Sequence, residues 1–127
     1  DRLYRADGKL DSQIVAKDDF VAGATAMLTE IQASLFADAK SRLDGSIDRS
    51  ITDIEALNAY FAASAKPGWA LVQWAKPTGE ALEKVVQWLK GEKLTLRNVP
   101  NDADPADGTC IFTGEKAVER VLVGRSY

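Results

Sequence analysis

The sequence predicts an α/β (α+β) fold, with a long N-terminal helix and two shorter helices packed on a small mixed sheet of about three or four strands. Three observations carry that expectation. Apolar residues return at spacings of three and four from Phe20 to Leu43, a strand–helix–strand pattern occupies Gly68 to Pro100, and two further short apolar runs follow an acidic loop. At 127 residues the chain has room for one domain, able to bury roughly two-thirds of the surface its unfolded form exposes.

In chain order, Arg2 to Ala6 and Leu10 to Ala16 flank Asp7-Gly8-Lys9, and Asp-Gly between extended segments is a hairpin signal. The flanking segments are weakly apolar, so residues 1–17 are expected to form a polar ribbon or the remnant of a preceding domain. Asp18 or Asp19 can cap the long helix, whose stripe runs through Phe20, Ala24, Met27, Leu28, Ile31, Leu35, Ala39 and Leu43 to a stop at Gly45. That stripe reads as a core face. Ser46 to Ile51 reads as a connector. Thr52, with Glu55 three residues later, has capping-box spacing for a short helix whose face is Ile54, Leu57 and Phe61, ended by Lys66-Pro67-Gly68.

From Gly68 the period changes to that of a strand. Trp69 to Trp74 is an apolar run, Pro77-Thr78-Gly79 turns into a helix with Leu82, Val85, Val86 and Leu89 on one face, and Leu94 to Val99 is a second strand. This is the pattern of a right-handed crossover joining two parallel strands. Trp69 and Trp74 are five apart and cannot share a face of one strand, so one is expected in the core and the other at an edge. Asn101 to Gly108 reads as a solvated acidic loop, since the ligand order and closing glutamate of a calcium-binding EF-hand are missing. Thr109 to Phe112 and Val118 to Val123, around Gly114-Glu115-Lys116, are expected to pair as an antiparallel hairpin.

Composition narrows the function. A net charge of −3 argues against a freestanding nucleic-acid binder. No apolar run approaches the roughly 18 residues of a membrane span and no signal peptide is present, so a cytoplasmic or organelle-matrix setting is expected. A single cysteine, Cys110, agrees with a reducing compartment and reads as a buried, inert thiol. There is no histidine, which removes Ser/His and Cys/His catalysis and histidine-based metal sites. No phosphate-cradling glycine loop or metal-ligand spacing stands out, and Glu80 and Glu83 suit the first turn of a helix better than acid/base work. The start at Asp1-Arg2-Leu3 without methionine leads to the expectation of a fragment, one with no catalytic residues of its own. Lys84, Lys90, Lys93, Arg97, Lys116, Arg120 and Arg125 give the second half a modest positive population, but acidic residues interleave with them, so a solvated mixed surface is the default reading.

The order of several short motifs carries a resemblance. TEIQASLFADA (residues 29–39), GWALVQW (68–74), EALEKV (80–85), TLRNVP (95–100), CIFTGEKA (110–117) and RVLVGRSY (120–127) together resemble, in sequence, the C-terminal extension of prolyl-tRNA synthetases of the archaeal/eukaryotic-like type. The match covers about residue 18 to the end. Residues 1–17 resemble the last strands of that family's anticodon-binding domain. The resemblance implies a parent class II enzyme that joins proline to tRNA(Pro) with ATP and magnesium, as a homodimer, with this segment beside its catalytic and anticodon-binding domains. It also implies four zinc ligands, which map to Ala75, Ala81, Cys110 and Thr113; three of these cannot serve as thiolates, so zinc is expected to be absent. Tyr127 matches a terminal tyrosine whose carboxylate reaches toward the aminoacylation site. Two other readings stay open: an independent protein-interaction or scaffold domain, and an accessory tRNA-contacting module using Arg97, Arg120 and Arg125.

Overall fold

The computed structural model describes residues 2–4, 10–12, 14–63, 67–101 and 103–126, with side chains from residue 14 onward. It has three α-helices, with a long one near the N-terminus, and a four-stranded mixed sheet, the expected α/β class. The chain divides into two compact units, residues 1–45 and 46–127.

In the first unit, β1 (Arg2–Tyr4) pairs antiparallel with β2 (Leu10–Ser12), with Leu3 opposite Asp11. The turn at Asp7-Gly8-Lys9 lies outside the described residues. Helix α1 spans Lys17–Gly45, with Asp18 and Asp19 in its first turn and Arg42 in its last, each sign of charge suiting the helix dipole. The stripe read as a core face is not one: no residue of α1 is buried, and Val21, Leu28, Leu35, Phe36 and Leu43 are all exposed. Among the described residues of its own unit the helix has only two three-residue strands for company, too little to cover 29 residues. The membrane expectation also needs correction. An 18-residue window of α1 reaches a mean hydropathy of 1.3, long and apolar enough by length and composition to cross a membrane. The run escapes notice because alanine, glycine and threonine, rather than leucine or valine, fill much of it.

The second unit is built on β4 (Trp69–Trp74). Short β3 (Ile47–Asp48) pairs parallel to it, β6 (Glu119–Arg125) lies antiparallel on its other side, and β5 (Leu94–Leu96) pairs antiparallel with β6, giving the order β3-β4-β6-β5. Since both run opposite to β6, β4 and β5 are parallel in direction as expected, but they are not neighbours: β6 is inserted between them. β3 falls inside the segment read as a connector. Two residues are too few to leave a period-2 pattern, and its position rests on the Trp69 amide donating to the Ser46 carbonyl at 2.8 Å.

The expected hairpin between Thr109–Phe112 and Val118–Val123 does not form. Only Thr109 and Lys116 bridge, and residues 111–113 make a turn. The apolar run of β6 finds longer partners in β4 and β5 than the four-residue 109–112 segment offers.

Alternation along the strands gives the sheet one apolar face. Ala70, Val72, Trp74, Leu94, Val121 and Val123 face a core shared with α2 (Ile54–Ala62) through Leu57 and Phe61, and with α3 (Gly79–Gly91) through Val85 and Leu89. Of the face expected on α3, Leu82 is half-buried and Val86 is exposed. Helix α2 is capped one residue later than expected: the Asp53 carboxylate, not Thr52, accepts from the Ala56 amide at 2.8 Å. Trp74 is buried and Trp69 is half-exposed, the expected division.

Candidate functional site

The motif positions singled out from sequence meet at one corner of the second unit. The end of β4 reaches it with Trp74 and Ala75, α3 enters it with Ala81, Val85 and Trp88, and the 110–114 turn supplies Cys110, Phe112 and Thr113. Backbone bonds fix the turn against the strand: the Ile111 amide donates to the Gln73 carbonyl at 3.3 Å and the Val118 amide to the Trp74 carbonyl at 2.9 Å. The turn itself closes through Cys110 to Glu115 at 2.7 Å and Gly114 to Cys110 at 2.9 Å. Gly114 takes φ +73°, a left-handed conformation that favours glycine.

A cavity of about 290 Å³ opens at this corner, lined by Ile54, Ala81, Val85, Trp88, Phe112 and Thr113. Its walls are apolar, and Lys84 at its edge pairs with Glu80 at 2.8 Å on the surface of α3. Phe112 is the residue that sequence reading passed over. Its ring meets Trp74 edge-to-face at 5.7 Å and Trp88 at 5.6 Å, tying turn, strand and helix together. Nothing in local periodicity marks it, because the partners stand 38 and 24 residues away in sequence (112 − 74 and 112 − 88).

Of the four positions mapped to metal ligands, Cys110 is 2 % exposed within the core and Ala75 packs against that core, while Ala81 and Thr113 line the cavity. Among the described residues no three His, Cys, Asp or Glu side chains come together in a way that could hold a metal ion.

Each of the three arginines is engaged with a backbone carbonyl of this chain. Arg97 places its guanidinium over the Trp69 ring, 5.8 Å from the centroid, and donates to the Arg125 carbonyl at 3.3 Å. The Trp69 ring is held against β6 where Gly124 leaves room: a Cβ there would stand 2.5 Å from the ring. Arg125 reaches the Phe61 carbonyl. Arg120 donates to the Arg49 carbonyl at 3.4 Å and lies 3.8 Å from the Asp104 carboxylate. Asp107 of the same acidic loop accepts from Gln73, the direct cross-strand neighbour of Arg120. Asp104 and Asp107 thus touch the sheet face opposite the core, while most described residues of the 101–108 loop are exposed, as expected of a solvated loop. Tyr127 lies outside the described residues.

These features define a class before any relative is considered: a small α/β module whose mixed sheet is covered by two helices on one face and touched by an acidic loop on the other. Comparison with known proteins adds a particular likeness. Over 127 residues the chain is 59% identical to a proline–tRNA ligase from Sphingomonas elodea, covering 99% of this chain and 25% of that protein. It is likewise 59% identical to the ligase of Sphingopyxis alaskensis and 54% identical to that of Novosphingobium aromaticivorans. The chain thus matches a small part of prolyl-tRNA synthetases, spanning about a quarter of the length of these curated relatives. No family model matches. A crystal structure of prolyl-tRNA synthetase from Cryptosporidium parvum, complexed with halofuginone and AMPPNP, shares the fold with a TM-score of 0.75 at 19% identity, over 97% of this chain and 25% of that one.

Proposed function

We propose that the chain is the non-catalytic C-terminal domain of a prolyl-tRNA synthetase of the archaeal/eukaryotic-like type, a class II enzyme of the cytoplasm. Residues 18–127 form its extension and residues 1–17 the last part of its anticodon-binding domain. The observation that carries this reading is 59% identity sustained across the chain to a protein about four times its length. The uncovered apolar stripe of α1 supports it. Val21, Leu28 and Leu35, seven residues apart in turn, lie along one line of the helix with Phe36 and Leu43 beside them, all exposed. Such a stripe is what an interdomain surface looks like when the rest of the polypeptide is absent.

Membrane insertion is the weaker account of the same stripe. Glu30 sits within the apolar stretch, and an acidic residue at the centre of a span costs roughly 2.5–3.5 kcal/mol on insertion scales. The domain's role is to pack and position. Attachment of proline to tRNA(Pro), with ATP and magnesium, belongs to the remainder of a homodimeric parent. The arginines fit a structural role better than a tRNA contact, because Arg97, Arg120 and Arg125 all bond backbone carbonyls of this chain. Salt-sensitive binding of tRNA(Pro) by the isolated chain would reverse that preference.

The coding sequence upstream tests the proposal most directly: class II catalytic motifs in frame are expected, and their absence would favour an independent scaffold domain. Within a complete ligase, removing Ser126 and Tyr127 is expected to impair aminoacylation. Unchanged kinetics would dismiss a role for the tail at the active site.

A further inference from the structure

We infer that the corner to which the resemblance assigns zinc is closed here without metal, by Phe112 bridging Trp74 and Trp88. The donor set is the first part of the argument. Ala75 and Ala81 have no ligand atom. The Thr113 hydroxyl already accepts from the Glu115 amide at 3.3 Å, and neutral hydroxyls are not among the ligands of tetrahedral zinc sites. Cys110 alone could ligate, and a single thiolate cannot hold a structural ion. The residues present do not fit the group.

The second part is what stands there instead. A structural zinc at this corner would cross-link three elements: the end of β4, the start of α3 and the 110–114 turn. Phe112 joins the same three, with its ring against Trp74 of β4 at an interplanar angle of 83° and against Trp88 of α3 at 61°. Both angles put ring edges toward ring faces, the favoured arrangement for aromatic quadrupoles. The 290 Å³ cavity beside Phe112, lined by two of the four assigned positions, marks volume that the aromatic trio leaves unfilled. Trp74 and Cys110 are buried, so the clamp is continuous with the core rather than laid on its surface.

This inference relies on the prolyl-tRNA synthetase reading only for the choice of the four positions. Its readouts are metal content and unfolding, so it can fail while the ligase reading stands, and the reverse. The 127-residue chain, expressed in zinc-supplemented medium and purified without chelator, is expected to carry far less than one zinc per chain. Its thermal midpoint is expected to be the same with and without EDTA. Phe112→Ala should lower that midpoint by roughly 10 °C, and Phe112→Leu, which keeps apolar volume but loses the ring edges, by roughly half as much. If Phe112→Ala does not fold, Phe112→Leu still reads the clamp. The combined variant Ala75→Cys, Ala81→Cys, Thr113→Cys, with native Cys110, is expected to gain one zinc per chain. Stoichiometric zinc in the native chain, a midpoint lowered by EDTA, or unmoved midpoints in both Phe112 variants would each overturn the inference. A combined variant that binds no zinc would sever the clamp from the former metal position.

Discussion

Helix α1 and the 46–127 unit are built from similar proportions of apolar residues and use them in opposite ways. In the second unit Leu57, Val72 and Val123 are at most 1 % exposed and contribute to one core between the sheet and two helices. In α1 the comparable side chains stand open, with Leu28 66 % exposed and Phe36 68 %. The difference teaches that an apolar stripe records a need for cover without saying where the cover comes from. A 13-residue helix such as α3 lies on the sheet that its neighbours form, whereas the described residues of 1–45 offer α1 no comparable surface.

The contrast can be broken by mutation. Leu57→Ala removes a side chain with no exposed surface and is expected to cost about 2–5 kcal/mol in urea unfolding of the chain. Leu28→Ala, at the same residue type on α1, is expected to change it by no more than about 0.5 kcal/mol. If the stripe is an interdomain surface, as proposed, the Leu28 variant should become costly in a full-length ligase; equal, negligible effects in both settings would argue that the stripe covers nothing.

Close backbone approaches should rank next. A Cβ on Gly68 would lie 1.9 Å from the Ser46 carbonyl oxygen, so Gly68→Ala is expected to destabilise the second unit by about 1–3 kcal/mol and to loosen β3 from β4, visible as faster amide exchange at Trp69. Gly23, within α1, has open space around it, and Gly23→Ala should stabilise by up to about 1 kcal/mol through helix propensity. Lys93 follows α3 with φ +56°, so Lys93→Gly is expected to gain up to about 1 kcal/mol by relieving a left-handed conformation.

The smallest expected effect is on pH dependence. Bonds from the Ser50 hydroxyl and amide hold the Asp48 carboxyl below its ordinary value of 3.8. A depressed carboxyl stabilises the fold above the unfolded value, and that contribution is lost as pH falls below about 4. Asp48 lies half-exposed on the short edge strand β3, where solvent screens its charge, so the loss is slight, and Ser50→Ala should flatten it in acid titrations followed by tryptophan fluorescence. Burial raises the Tyr60 phenol above 10.0, partly offset by its hydrogen bond with the Gly68 backbone, so its contribution is present below pH 10 and lost above that.

Much of the second unit was legible because its signals are local. Trp69–Trp74, the Gly79–Gly91 helix and the Leu57/Phe61 face follow from period, length and turn residues, and the parity of Trp69 and Trp74 separates the two rings, though only the sheet's packing shows that Trp74 is the one in the core. What escaped was non-local. The pairing of β6 with β4 and β5 depends on competition between partners far apart in sequence. The choice of Asp53 over Thr52 as cap depends on one backbone turn. At the candidate site the four mapped positions rest on motif order alone, whereas Phe112 gains its place only from rings that other elements bring to it. The bonds between the acidic loop and Gln73 and Arg120 were likewise invisible until the sheet placed those two side chains opposite each other.

The position of β6 has a consequence for the order in which this unit can be made. β4 and β5 are synthesised first, yet neither touches the other in the sheet, and both hydrogen-bond to residues 119–125. Until residues 119–125 emerge, β5 has no strand partner and β4 has only the two-residue β3, so α2 and α3 lack a complete sheet to fold upon. Their apolar faces stay open to solvent until the last seven-residue strand slides between them. Shortening the chain before that strand would remove the sheet's keystone rather than trim its edge.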